Sequence, residues 1–217
     1  MRRDGLILLF CWALAGCGDR AAPTASFVGD AARGQSLASR ACATCHGLDG
    51  AATGPRFPKL AGQFPEYLAK QLTAFQAGPN GVAARQSPVM GPIAAGLGAN
   101  DITDLAAYYA RQAPTVAGAR TTGRLALGER IYLHGNPDED LPACVTCHRP
   151  QGGGIAPDFP RIGGQNPDYV EGQLANWMMT RGHRGKLMSL IAPRLSPEER
   201  AAVADYIAQL KPPPAKT

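Results

Sequence analysis

The sequence predicts an all-α protein built as two tandem helical units. Three observations predict this. The chain repeats itself: FPKLAGQFPEYLAKQL (57–72) returns as FPRIGGQNPDYVEGQL (159–174), 102 residues later. A repeat of that length marks a duplicated structural unit. Apolar residues recur at helical spacing in both copies, as Ile102, Leu105, Ala106 and Tyr109, then as Val203, Tyr206, Ile207 and Leu210. No long alternating run of apolar and polar residues offers a strand.

The N-terminus reads as an export signal. Arg2 and Arg3 precede the apolar stretch GLILLFCWALAG (5–16), which is too short to span a bilayer as a helix. LAGC follows, ending at Cys17, and is similar to the lipobox of bacterial lipoproteins, whose cysteine is acylated. The alternative is cleavage after Ala15, which would leave Cys17 a lone thiol in an oxidising compartment. Residues 18–29 read as a short tether.

Within the repeat, the first helix of each unit begins near Asp30 or Arg124. A middle helix starts at Pro65 or Pro167, since proline suits a first helical position, with Asn166 as the expected cap of the second. Its apolar face in the second unit is Tyr169, Val170, Leu174 and Trp177. A last helix follows Asn100 or Ser196, and Ser196-Pro-Glu-Glu199 is a capping box. VMGPIAAGL (89–97) matches LMSLIAPRL (187–195) at an offset of 98, so the first unit carries four extra residues. They fall where GPNG (78–81) reads as a turn. APTVAGA (113–119) is the expected linker, and KPPP (211–214) stops the final helix.

Composition sets limits. Hydrophobic residues make up 45% of the 217, enough for a core. With 26 glycines and 19 prolines, long ordered loops must join the helices. Net charge is +5, falling to +4 without the signal and its Arg2, Arg3 and Asp4. That balance, with no Lys/Arg cluster, does not point to nucleic acid. Each unit is near 90 residues, small for a self-sufficient core, so something should staple it.

The staple is in the cysteines. Cys11 leaves with the signal and Cys17 takes lipid. The other four lie in CATCH (42–46) and CVTCH (144–148), again 102 residues apart. A disulfide within each pair explains neither the histidine nor its repetition. A thioredoxin-like pair needs a strand before its helix. A zinc site of four thiolates would have to bridge both units and leave both histidines idle. Covalent haem uses every group: two thiols add to the two vinyls of one porphyrin, and the adjacent imidazole binds the iron. Random order would yield roughly 0.003 such motifs per chain of this composition, so two are not an accident. Cys42, Cys45, Cys144 and Cys147 are therefore the expected attachment points of two haem c groups, with His46 and His148 on the iron atoms.

The sixth ligand decides between carrier and catalyst. Met90 and Met188 each open the pattern Met-x-x-Ile-Ala-x-x-Leu ahead of the last helix. Methionine also fills irregular core gaps, but occurrence at the same place in both units favours ligation. Met178 and Met179 have no counterpart and are expected to pack. His134 and His183 are also unmatched and read as surface residues, His183 being the runner-up for iron.

With these motifs the sequence resembles the class I c-type cytochromes, and in its two-domain form the dihaem cytochrome c4 group, over residues 30 to 211. The resemblance implies two tandem cytochrome c-type helical domains, each wrapped around one covalently attached haem. It implies a first domain at 30–113, a linker at 114–123, a second domain at 124–212 and a tail at 213–217. Signal and tether occupy 1–16 and 17–29. It implies axial pairs His46 with Met90 and His148 with Met188. Pro55, Phe57, Pro58 and Leu60 would line one haem pocket, and Pro157, Phe159, Pro160 and Ile162 the other. The function implied is one-electron transfer in a periplasmic respiratory chain, with no catalytic residue and no small-molecule substrate. Implied partners are a quinol-oxidising complex and a haem–copper oxidase, or a periplasmic dehydrogenase drained by this chain. A dihaem peroxidase is the alternative of another class, and would need one open iron position. The lipobox departs from soluble members and implies tethering to a membrane. Asp138, Glu139 and Asp140 form an acidic patch, and Arg181, Arg184 and Lys186 a basic one, either of which could dock a partner.

Overall fold

The computed structural model describes residues 27–121 and 123–214, and of His183 the backbone only. Cys17, the signal and most of the tether lie outside the described residues. Helices α1 (Ala31–Ala41), α2 (Ala43–His46), α3 (Pro65–Phe75), α4 (Met90–Ala95) and α5 (Ala99–Ala110) build the first unit. Helices α6 (Leu125–His134), α7 (Val145–His148), α8 (Pro167–Ala175), α9 (Trp177–Arg181), α10 (Met188–Ile191) and α11 (Pro197–Gln209) build the second. Among the described residues the only strand-like pairings are isolated bridges, one of them closing the GPNG turn between Ala77 and Ala83.

In each unit the first helix crosses the last: α1 packs on α5, and α6 on α11. Both crossings pass through a glycine. A Cβ on Gly34 would lie 2.1 Å from the Asp104 carbonyl oxygen, and one on Gly128 would lie 2.1 Å from that of Ala202. Only a residue without a side chain admits so close an approach. The second core gathers Ile131, Tyr132, Leu141, Val170, Leu195, Val203 and Ile207. The first gathers Ala38, Leu68, Leu105, Ala106, Tyr108 and Tyr109. Cys42 and Cys144 pack against the edges of these clusters.

Helix starts follow local chemistry. The Asp30 carboxylate accepts the N–H groups of Ala32 and Arg33 and caps α1. Ser196 Oγ accepts Glu199 N–H at 3.2 Å while Glu199 Oε2 accepts Ser196 N–H at 2.9 Å, the expected capping box. Two expectations need correction. Asn166 does stand at the cap position of α8, but its side chain makes no capping bond; its amide donates instead to Phe57 O at 2.7 Å and Gly54 O at 3.2 Å, across to the other unit. Asn100 lies inside α5, whose cap is Gly98, with its N–H bonded to Asp101 Oδ2 at 2.9 Å. The middle helix of the second unit also breaks at Asn176, so Trp177 belongs to α9.

The units meet through a reciprocal interlock. Gln63 donates to Arg161 O at 2.8 Å and accepts Arg161 N–H at 3.0 Å. Gln165 accepts Lys59 N–H at 2.8 Å and donates to Lys59 O at 3.0 Å. Gln63 and Gln165 are equivalent in the repeat, as are Lys59 and Arg161, so the contact is pseudo-twofold. Lys70 pairs with Asp158 across the same boundary. The linker lies along the second unit, with Ala117 N–H on Gly164 O and Gly118 N–H on Ala208 O, both at 3.0 Å. Arg120 then ties it to Asp168, Glu171 and the fully buried Asp205.

Candidate functional site

Each CxxCH pentapeptide folds as one helical turn. His46 N–H bonds to Cys42 O and His148 N–H to Cys144 O, both at 2.9 Å, so thiols and imidazole leave one short element together. The four thiols are unbridged. Burial raises the pKa of the Cys42 thiol and pushes that of the Cys144 thiol up to about 11.

Both imidazoles are oriented in the same way. His46 Nδ1–H donates to Pro58 O and His148 Nδ1–H to Pro160 O, each at 3.0 Å. Burial lowers both pKa values, against the smaller opposing effect of that hydrogen bond, and keeps both rings neutral. With the proton on Nδ1, Nε2 carries the free lone pair, and it meets no hydrogen-bond partner among the described residues. A second-shell acceptor that fixes tautomer and ring plane is the ordinary company of a metal-binding histidine.

The carbonyl after each histidine is held by a tyrosine that sequence reasoning missed. Tyr109 OH donates to Gly47 O at 3.2 Å, and Tyr132 OH donates to Arg149 O at 2.7 Å. These tyrosines come from opposite helices of the crossing, α5 in one unit and α6 in the other. The repeat equivalents are Ala38 for Tyr132 and Ile207 for Tyr109, all four buried. One bulky ring per crossing does the same task from either side.

Met90 opens α4, with its N–H on Ser87 Oγ at 3.0 Å, and Met188 opens α10. Both are half-buried, and neither belongs to the core cluster of its unit. Met179 does not pack as expected: it is 76% exposed, at a crevice with Phe75, Ser87 and Gly91 of the first unit. His134 is exposed, as expected, and the His183 side chain lies outside the described residues. The basic patch is not one surface. Arg181 is turned into the boundary between the units, while Arg184 reaches Ala83 O at 3.3 Å. The acidic residues 138–140 are exposed, with Asp140 paired to Arg194.

Two thiols, a neutral imidazole with Nε2 free, and one thioether-bearing element per unit form a donor set that fits haem c. They do not fit zinc: among the described residues no three His, Cys, Asp or Glu side chains converge as a metal site. No described helix is long and apolar enough to cross a membrane.

Comparison with known proteins agrees. The cytochrome c family model matches residues 31–111 and again 125–211. Cytochrome c4 of Pseudomonas aeruginosa is 41% identical over 183 residues, 82% of this chain and 88% of that one. The thiosulfate dehydrogenase electron acceptor of Stutzerimonas stutzeri is 38% identical over 214 residues, 92% of this chain and 94% of that one. Among solved structures, reduced recombinant cytochrome c4 from Pseudomonas stutzeri superposes with a TM-score of 0.76 at 36% identity, covering 85% of this chain and all of that one. The thiosulfate dehydrogenase TsdBA of Marichromatium purpuratum gives 0.73 at 37%, covering 82% of this chain and 39% of that one. With its two haem-attachment turns and its duplicated helical fold, the chain belongs to the cytochrome c family as a class I dihaem c-type cytochrome, an electron carrier and not an enzyme, with two covalently bound haem c groups.

Proposed function

We propose that Cys42 and Cys45 hold the first haem, with His46 and Met90 on its iron, and that Cys144, Cys147, His148 and Met188 do the same in the second unit. The observation that carries this is the matched pair of Nδ1–H bonds to Pro58 and Pro160, which frees Nε2 of both histidines for a metal. The methionines support it by position, each opening the helix before the last in its unit and standing apart from the core clusters.

Bound haem supplies an iron that exchanges one electron. In this reading His46 and Met90 would hold the first iron and His148 and Met188 the second. A thioether ligand favours the reduced state and raises the potential. The same reading takes 30–113 and 124–212 as the two domains, with 114–123 as the linker. A redox titration of haem absorbance tests it: replacing Met90 or Met188 by alanine should lower one potential and leave the other, with both haems retained. Loss of neither potential would remove the methionines from the irons, and rapid azide binding to one wild-type iron would favour the peroxidase alternative.

The carrier sits, in this reading, on the periplasmic face of a bacterial membrane, held through acylated Cys17 after loss of residues 1–16. Mass spectrometry of the N-terminal peptide tests it, and an unmodified thiol or a start elsewhere would remove the anchor. For partners, the relatives named as acceptors of thiosulfate dehydrogenase favour a periplasmic dehydrogenase as electron donor. A quinol-oxidising complex and a haem–copper oxidase are the second reading, carried over from the resemblance to the dihaem cytochrome c4 group. Reduction of the protein by each purified donor in stopped flow separates the two.

A further inference from the structure

The two glutamines of the joint each grip one residue of the opposite unit at both of its main-chain groups. Gln165 Oε1 accepts Lys59 N–H at 2.8 Å while Gln165 Nε2 donates to Lys59 O at 3.0 Å. Gln63 Oε1 accepts Arg161 N–H at 3.0 Å while Gln63 Nε2 donates to Arg161 O at 2.8 Å. Both glutamines are buried. Each Oε1 also accepts the N–H of the next residue in its own unit, Phe64 or Asn166, at 3.0 Å. Two N–H donors on one end of the amide and a carbonyl on the other fix its orientation.

The gripped N–H groups stand in a particular place. Lys59 N–H and Pro58 O are the two ends of one peptide group, as are Arg161 N–H and Pro160 O. Pro58 O accepts His46 Nδ1–H and Pro160 O accepts His148 Nδ1–H, each at 3.0 Å. Both peptides are trans, so C=O and N–H point in opposite directions. A line of hydrogen bonds therefore runs from each imidazole, through a single peptide group, to a glutamine of the other unit. The lines cross the boundary in opposite senses: His46 ends on Gln165, and His148 ends on Gln63.

Hydrogen bonds in series polarise one another. An acceptor on the amide N–H pushes electron density onto the carbonyl oxygen of the same peptide. That oxygen then holds the imidazole proton more firmly, and the ring becomes a stronger donor at Nε2. A stronger donor on an iron favours its oxidised state and lowers its potential.

We propose that Gln63 and Gln165 are positioning residues that tune the histidine of the opposite unit. Gln165 acts on His46 and Gln63 on His148, and each holds down the potential of the haem it does not share a unit with. The proposal rests on the reading that His46 and His148 bind the two irons. It makes the joint part of each redox site as well as part of the fold.

The test uses the dihaem holoprotein and four variants, Gln63→Leu, Gln165→Leu, Gln63→Glu and Gln165→Glu. Both midpoint potentials are measured, together with the imidazole Nδ1–H proton resonances of the reduced protein by NMR. Gln165→Leu strips the Lys59 amide of its acceptor. It should raise the potential of the first unit's haem by about threefold in the redox equilibrium, about 28 mV for one electron. The His46 Nδ1–H resonance should move upfield while that of His148 stays. Gln63→Leu should do the converse. Each glutamate variant keeps an acceptor on the same amide, so it should move the opposite unit's resonance downfield and lower that haem's potential more than the other. Where a leucine variant fails to fold, the glutamate variant decides by which resonance moves. Unchanged potentials and resonances in folded variants overturn the proposal. So does a shift confined to the substituted unit, or an equal shift of both haems, which is what mere parting of the units produces. Failure of the ligand assignment looks different: the wild type itself would lack an iron-bound imidazole with its Nδ1–H resonance in one unit, before any glutamine is changed.

Discussion

The carbonyl oxygens of Pro58 and Pro160 each accept an imidazole N–H, and the carbonyls of Gly47 and Arg149 each accept a tyrosine O–H. The cysteines and histidines could be proposed from the sequence because covalent attachment and metal ligation demand those residue types at that spacing. The tyrosines were not, because their partner is a main-chain oxygen in another element, and backbone atoms leave no mark in sequence. The exchange of Ala38 and Tyr109 for Tyr132 and Ile207 hid them further, since the two units then fail to align at the ring. Replacing Tyr132 by phenylalanine keeps the packing and strips the Arg149 carbonyl of its donor. It should cost about 1 kcal/mol, read by denaturant unfolding of the holoprotein, with both haems still attached.

Among the helices, the starts at Pro65, Pro167 and Ser196 could be read directly, because proline and a capping box act within one turn. Asn166 misled for an instructive reason. A short amide before a helix suits a cap, but the facing unit offers the Phe57 and Gly54 carbonyls, and tertiary partners outcompeted local ones. Replacing Ser196 by alanine should cost about 1 kcal/mol in thermal or denaturant unfolding. The helix crossings are more sensitive. Gly128→Ala drives a Cβ into the Ala202 carbonyl and must part α6 from α11. A loss of about 3 kcal/mol is expected, and a variant as stable as the wild type would show that the crossing is looser than described.

For the molecule as a whole, duplication was visible from the repeat, but the way its halves meet was not. Gln63 and Gln165 look like ordinary polar loop residues in the sequence; burial at the boundary makes them a joint. Replacing both by alanine removes the acceptors of the Lys59 and Arg161 amides. Hydrogen exchange at those two amides should accelerate at least about tenfold, while amides of the two cores keep their protection. Equal protection in the variant would mean that other contacts carry the joint. The joint is also self-complementary, since equivalent residues donate and accept on both sides. Isologous surfaces of that kind belong to two-fold homodimers. A chain of one unit with glutamine and a basic residue at these places could pair with its own copy through the same four bonds. What fusion into one polypeptide adds is effective concentration: the second half is always at hand, so the paired state no longer depends on how much protein the cell makes.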